Sequence, residues 1–184
     1  MEQRIFVRGA VAALLGCVAF LAAGPALAGG TKVPAPVLRM IVQLKFPALV
    51  PTFIPKDFGS VVLDGRVAPE APAPADGYSV FITSRRCAGK PDCAIAQLDA
   101  GPIRSGDPLG TGTLRSVNLP DGTVGYTGPP CAEPRCANVR VLNFVRDGVQ
   151  YSLRFPRQKS LSDALAIAAG LRPATDFISR PREK

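Results

Sequence analysis

Arg140-Val141-Leu142-Asn143-Phe144-Val145-Arg146-Asp147-Gly148-Val149-Gln150-Tyr151-Ser152-Leu153-Arg154-Phe155 is the stretch on which the fold turns. A two-residue type I′ turn favours Asp-Gly, so Asp147-Gly148 predicts a β-hairpin and fixes the register on both sides. Arg146 then faces Val149, Phe144 faces Tyr151, Leu142 faces Leu153 and Arg140 faces Phe155, which gathers aromatic and aliphatic pairs on one side. Val145 with Gln150, Asn143 with Ser152 and Val141 with Arg154 make the other side mixed and more solvated.

Working outward, short segments rich in β-branched and aromatic residues recur between Gly, Pro and Asp. Strands are expected at 60–63, 78–85, 94–99, 113–119 and 123–126, with the hairpin strands at 138–146 and 149–155. Asp121-Gly122 and Asp64-Gly65 read as further turns. After Pro156, Ser160 with Asp163 makes a capping pair, and Leu161, Ala164, Leu165, Ala168 and Leu171 form an apolar stripe. Gly170 and Pro173 end the helix. Near the start, Pro36 suits a first helical turn, and Val37, Met40, Ile41 and Leu44 have helical spacing. The prolines between Phe46 and Pro55 forbid helix and central strand alike, which predicts an extended strap across the core.

The fold class expected is therefore α+β, a mainly antiparallel β-sheet with a short N-terminal helix and one C-terminal helix packed on the sheet. Residues 29–58 form the Pro-rich strap with its short helix, 59–174 the single β-rich domain, and 175–184 a basic, frayed tail. Ala68 to Asp76, rich in Pro and Ala, reads as a surface loop rather than a boundary.

Residues 1–28 read as a signal peptide. Arg4 and Arg8 precede an apolar run from Gly9 to Leu27, and Ala26-Leu27-Ala28 supplies small residues at the cleavage positions. Cleavage after Ala28 places the protein in the periplasm or outside the cell. The alternatives are a retained membrane anchor, against which Pro25 argues, and a lipoprotein on Cys17, against which the apolar Val18-Ala19-Phe20-Leu21 argues.

Four further cysteines, Cys87, Cys93, Cys131 and Cys136, are an even number in an exported chain and read as two disulfides. Three connectivities are open. Loop-closure entropy gives about 2 kcal/mol for short loops and about 4 for long ones, which would favour crossing. The ends of a tight loop already lie within disulfide reach, which prefers Cys87 with Cys93 and Cys131 with Cys136.

Val50-Pro51-Thr52-Phe53-Ile54-Pro55, the segment Tyr78 to Cys93, and Asp147 to Leu171 together carry a resemblance. The closing hairpin and helix resemble those of small bacterial extracytoplasmic domains, in which a Tyr-rich strand is followed by a short helix that finishes the sheet. The cysteine loop after a strand is similar to that of exported bacterial proteins of unassigned function. The motifs are structural, and the resemblance implies no catalytic residue.

The chain has no histidine. That excludes Ser-His-Asp and Cys-His catalysis, His-based zinc chemistry and His proton shuttling. No Ser-x-x-Lys or Cys-x-x-Cys occurs, and the cysteine spacings suit an oxidised export compartment better than zinc. Gly110-Thr111-Gly112-Thr113 lacks the Gly-Lys-Ser/Thr of a phosphate loop. Most acids sit beside Gly or Pro, where turns and caps use them, and tryptophan, the commonest sugar platform, is absent. No metal or cofactor is expected.

The formal charge is +8, falling by one with the signal, and arginine supplies most of it. Arg85, Arg86 and Lys90 cluster at the first cysteine loop, and Arg135 and Arg140 flank the second. If both loops lie at one end of the sheet they make a basic rim, with Tyr78 or Tyr126 nearby. Three tyrosines are thin support for base stacking, so nucleic acid is not the expected partner. The reading is a non-catalytic, exported cell-envelope binding or structural domain, its partner an anionic envelope component or another envelope protein. The alternatives are a His-free hydrolase using carboxylates on a glycan or phosphate ester, and a lipid or hydrophobic-ligand carrier.

Overall fold

Asp147 and Gly148 both adopt positive φ, 50° and 74°, the left-handed pair of a type I′ turn. Around it, strands β7 (Val139–Arg146) and β8 (Val149–Pro156) pair in the register that the turn dictates, Arg146 with Val149 through Arg140 with Phe155. Phe144 and Tyr151 stack across the pair with centroids 5.2 Å apart, while Leu142, Leu153 and Phe155 are buried beside them. The structure, a computed structural model, describes residues 33–67, 76–87, 90, 93–103, 114–129 and 138–178, the side chain of Cys87 excepted. Residues 1–28, expected to be a signal peptide, the cysteines Cys131 and Cys136, Arg135 and the residues beyond Ile178 lie outside them.

The hairpin occupies the middle of a seven-stranded antiparallel sheet. Its other members are β2 (Val61–Val67), β3 (Tyr78–Ser84), β4 (Ala94–Pro102), β5 (Arg115–Asn118) and β6 (Val124–Gly128), in the order β2-β3-β4-β8-β7-β6-β5. Two meanders, β2 to β4 and β5 to β8, are thus joined edge to edge through β4 and β8. Between β5 and β6, Pro120 and Gly122, the latter at φ 85°, close a short loop in which Leu119 N–H bonds Thr123 O at 2.8 Å.

Helices cover one face. α1 (Ala35–Ile41) has its proline in the first turn and buries Val37, Leu38 and Ile41. α2 (Leu161–Ala169) starts on the expected capping box, Ser160 with Asp163, and buries Ala164, Ile167 and Ala168. The strap carries β1 (Leu49–Pro51), which pairs with β9 (Leu171–Pro173) in a separate two-stranded sheet. Ala174 N–H bonds Ala48 O at 2.8 Å and Thr52 N–H bonds Gly170 O at 3.1 Å. The residues between, Leu49, Pro51, Leu171 and Pro173, therefore turn their backbone groups away from the ladder. Both prolines stand where no N–H is required.

Two expectations need correction. Asp64-Gly65 is not a turn but the interior of β2, paired with Phe81 and Val80. The glycine serves close approach, since a Cβ on it would meet Val37 Cγ1 of α1 at 2.5 Å. Leu171 belongs to β9 rather than to the helical stripe. Gly170 ends α2 with φ −82°, so packing and not left-handed geometry requires it: a Cβ there would meet Phe53 Cβ of the strap at 2.8 Å.

Candidate functional site

Strand direction decides where the loops go. β3 ends at Ser84 and β4 begins at Ala94, while β6 ends at Gly128 and β7 begins at Val139. Thr83 pairs with Ala94, Gln97 with Arg154, and Arg154 with Val141, which pairs with Gly128. The β3–β4 and β6–β7 connections, the two that carry the cysteine pairs, consequently leave the sheet at the same end.

Arg85 and Arg86 stand exposed on a 3-10 turn, Arg85–Cys87, that continues β3, anchored by Arg85 N–H to Ser60 O at 3.3 Å. Lys90 is exposed, and its carbonyl accepts from Cys93 N–H at 3.0 Å just before β4. Arg115, exposed at the start of β5, and Arg157 and Lys159, just beyond β8, add charge at this end. Lys159 lies over the Phe58 ring, 5.0 Å from its centroid, and donates to Asp57 O. Asp76, Asp121 and Asp147 stand at the opposite end, where Arg146 pairs with Asp121. Partial burial pushes the Asp121 carboxyl up, but hydrogen bonds from Thr123 and the Arg146 guanidinium outweigh it and hold it below the usual carboxylate range.

Tyr78 is not at the rim, and Arg140 lies at this end of the sheet but on its core side. Arg140 is half-buried in β7 opposite Phe155, on the core side of the sheet, because side chains alternate and Leu142 and Phe144 fix that side inward. Tyr78 is fully buried and holds the strap: its hydroxyl accepts from Leu49 N–H at 2.9 Å and donates to Leu49 O. Tyr126 is half-buried in β6.

The face opposite the helices holds what the sequence reading missed. Register places Arg66, Ser79, Asp99, Ser152, Asn143 and Tyr126 side by side across β2, β3, β4, β8, β7 and β6. Asp99 is buried, and its Oδ1 accepts from Ser79 Oγ and from Gln97 Nε2, each at 2.6 Å. Arg154 Nε lies 3.4 Å from Oδ2. A strand expected to stop at Asp99 runs on to Pro102, so this acid is interior rather than at a turn. The signal was the alternation of Gln97 with Asp99 and of Ser152 with Arg154.

Among the described residues no three of His, Cys, Asp and Glu are placed to hold a metal ion, and no helix is long and apolar enough to cross a membrane. No family model, no curated protein and no solved structure matches the chain.

Proposed function

We propose that this is an exported cell-envelope domain that binds a partner rather than transforming one, and that its basic sheet end engages an anionic envelope component. One observation carries the reading: both cysteine-bearing connections leave the sheet at the end where Arg85, Arg86 and Lys90 are exposed. Short disulfides, Cys87 with Cys93 and Cys131 with Cys136, would stiffen the loops and lower the ordering cost of binding. Clustered arginines on pre-ordered loops suit phosphate or carboxylate groups, which they can grip in a bidentate way.

The alternatives draw less support. A carboxylate hydrolase wants two acids converging, whereas the described network at Asp99 contains one carboxylate, already occupied by three donors. A carrier of apolar cargo wants an apolar second face, whereas that face bears the polar row through Asp99.

The test uses protein recovered as its host exports it, mixed with anionic and with neutral envelope fractions. Retention on the anionic fraction, weakened by moderate salt and by joint Arg85→Ala, Arg86→Ala and Lys90→Ala substitution, is the expected result. Equal retention of the substituted protein, or no retention together with a positive turnover assay, overturns the reading. Mapping the start residue and thiol pairing by mass spectrometry on the same sample checks export and both disulfides.

A further inference from the structure

The seven-stranded sheet ends in β2 on one side and in β5 on the other, and only β5 is open. On β2, Arg85 N–H bonds Ser60 O, so every second residue from Val61 directs its backbone outward, and two of these, Leu63 and Gly65, are buried. On β5, Leu119 N–H bonds Thr123 O, which makes Leu119 and, in alternation, Val117 and Arg115 the residues whose backbone groups point at β6. Ser116 and Asn118 therefore direct theirs away from the sheet. Both residues are exposed, as is Arg115. Among the described residues none offers a backbone partner to the outward groups of either.

A second copy of β5 laid antiparallel on this edge must match outward residue with outward residue, which leaves few symmetric registers. Centring the two-fold axis on Ser116 brings the two Arg115 side chains together as diagonal neighbours, within reach of each other. Centring it on Asn118 sets Ser116 against Pro120, which has no N–H to give. Centring it on Val117 avoids both. Ser116 then pairs with Asn118 in each direction, and every outward N–H and C=O of the two residues is satisfied. Val117 meets Val117 at a non-hydrogen-bonded position, where side chains approach most closely, as a β-branched apolar pair. Each Arg115 faces Leu119 of the other copy, which keeps the two arginines at opposite ends of the pair.

We propose that two copies of this chain associate edge to edge through β5 in the Val117-centred register, joining two seven-stranded sheets into one. Charge complementarity selects a second copy as the occupant. Arg85, Arg86, Lys90 and Arg115 stand at one end of the sheet and Asp76, Asp121 and Asp147 at the other, so antiparallel pairing lays the basic end of each copy beside the acidic end of the other. The charges nearest the seam are Arg115 and Asp121, and Arg115 faces a residue two positions from Asp121, whose side chain is 42% exposed beside Arg146. Arg85, Arg86 and Lys90 belong to the other half of the sheet and stay uncovered. The dimer thus presents two basic surfaces that face in opposite directions.

Sedimentation equilibrium on protein expressed from the full-length sequence tests this. Two short edges bury little surface, so the wild type is expected to dimerise weakly, with Kd on the order of 10–100 µM, and more weakly still as salt is added. Val117→Asp and Val117→Lys, each alone, should weaken dimerisation about tenfold or more, because each sets like charges face to face on the axis. Mixed, the two variants place opposite charges there and should form a heterodimer. The mixing experiment separates a charge effect from misfolding, since two misfolded variants would not rescue each other. Asn118→Pro removes an N–H that points away from β6, and should weaken the dimer while hydrogen exchange still reports the β5–β6 pairing. A wild type still monomeric at about 1 mM would overturn the proposal and leave the edge to an extended segment of another protein. Single variants that dimerise as the wild type does, or a mixture that fails to assemble, would equally overturn it.

Discussion

The Tyr78 hydroxyl satisfies both backbone groups of Leu49, a residue 29 positions earlier in the chain, accepting from its N–H at 2.9 Å and donating to its carbonyl oxygen. Those groups turn away from β9, so the phenol takes the place of a missing strand. Tyr151 Oη donates to Pro47 O at 3.1 Å, and Phe46 stacks on Tyr78 with centroids 6.2 Å apart. Two tyrosines from β3 and β8, separated on the same sheet rung by the small side chain of Ala100, thereby clamp the strap.

Tyr78→Phe removes the hydroxyl while keeping the ring, leaving a buried N–H and a buried C=O without partners. The expected cost is about 3 kcal/mol, read as a fall in the urea midpoint at neutral pH with an unchanged slope. Hydrogen exchange at the Leu49 amide should accelerate more than exchange in the β7–β8 hairpin, since the strap opens first. Equal loss of protection in both places would mean that the strap is not a separate unit of stability.

Alkali should act through the same pair. Burial, followed by the proximity of Tyr151, raises the Tyr78 phenol well above its ordinary value, and burial also raises that of Tyr151. A phenol that ionises more readily in the unfolded chain contributes stability that is complete below about pH 10 and is lost as pH rises beyond it. Urea midpoints should therefore fall steeply above about pH 10 in the wild type and less steeply in the Tyr78→Phe/Tyr151→Phe double variant. Parallel curves would place the alkaline transition elsewhere.

The parts of this fold that announce themselves are those whose signal is local. Asp147-Gly148 needs only its own φ values, and Ser160 with Asp163 only one turn of helix, so the turn, its register and the cap could be read directly. Asp64-Gly65 has the same dipeptide signature and means something else, because its cause is Val37 on a helix that lies earlier in the chain and reaches back onto the sheet. Asp99 was hidden for a related reason. A carboxylate two residues before a glycine looks like a turn acid until the strands on either side bring Ser79 and Arg154 to it. The basic end lies between these cases: the charges were visible in the loops, but their convergence depends on the joining of β4 to β8.

The Gly65 reading makes a specific demand. Gly65→Ala forces its methyl into Val37, a short, stiff side chain on a helix, and should cost about 1–3 kcal/mol as overpacking. Val37→Ala alone also destabilises, because it empties a buried site. Combined, the two should cost less than their sum, with a coupling of about 1 kcal/mol or more by denaturation. Strict additivity would show that the glycine is required for some reason other than α1.

The Asp99 network separates packing from charge. Asp99→Asn keeps an oxygen where Ser79 and Gln97 both donate and loses only the contact with Arg154, whose side chain is 55% exposed. Solvent screens that ion pair, so the expected cost stays below about 1 kcal/mol. Asp99→Ala strips two donors of their acceptor on a buried part of the sheet, and the cost rises to about 2–3 kcal/mol. Ser79→Ala removes a donor and leaves the carboxylate with Gln97 and Arg154, so its effect should fall between the two. If urea denaturation instead finds Asp99→Asn as damaging as Asp99→Ala, the negative charge itself is what the sheet requires there, and Arg154 becomes the partner to replace next.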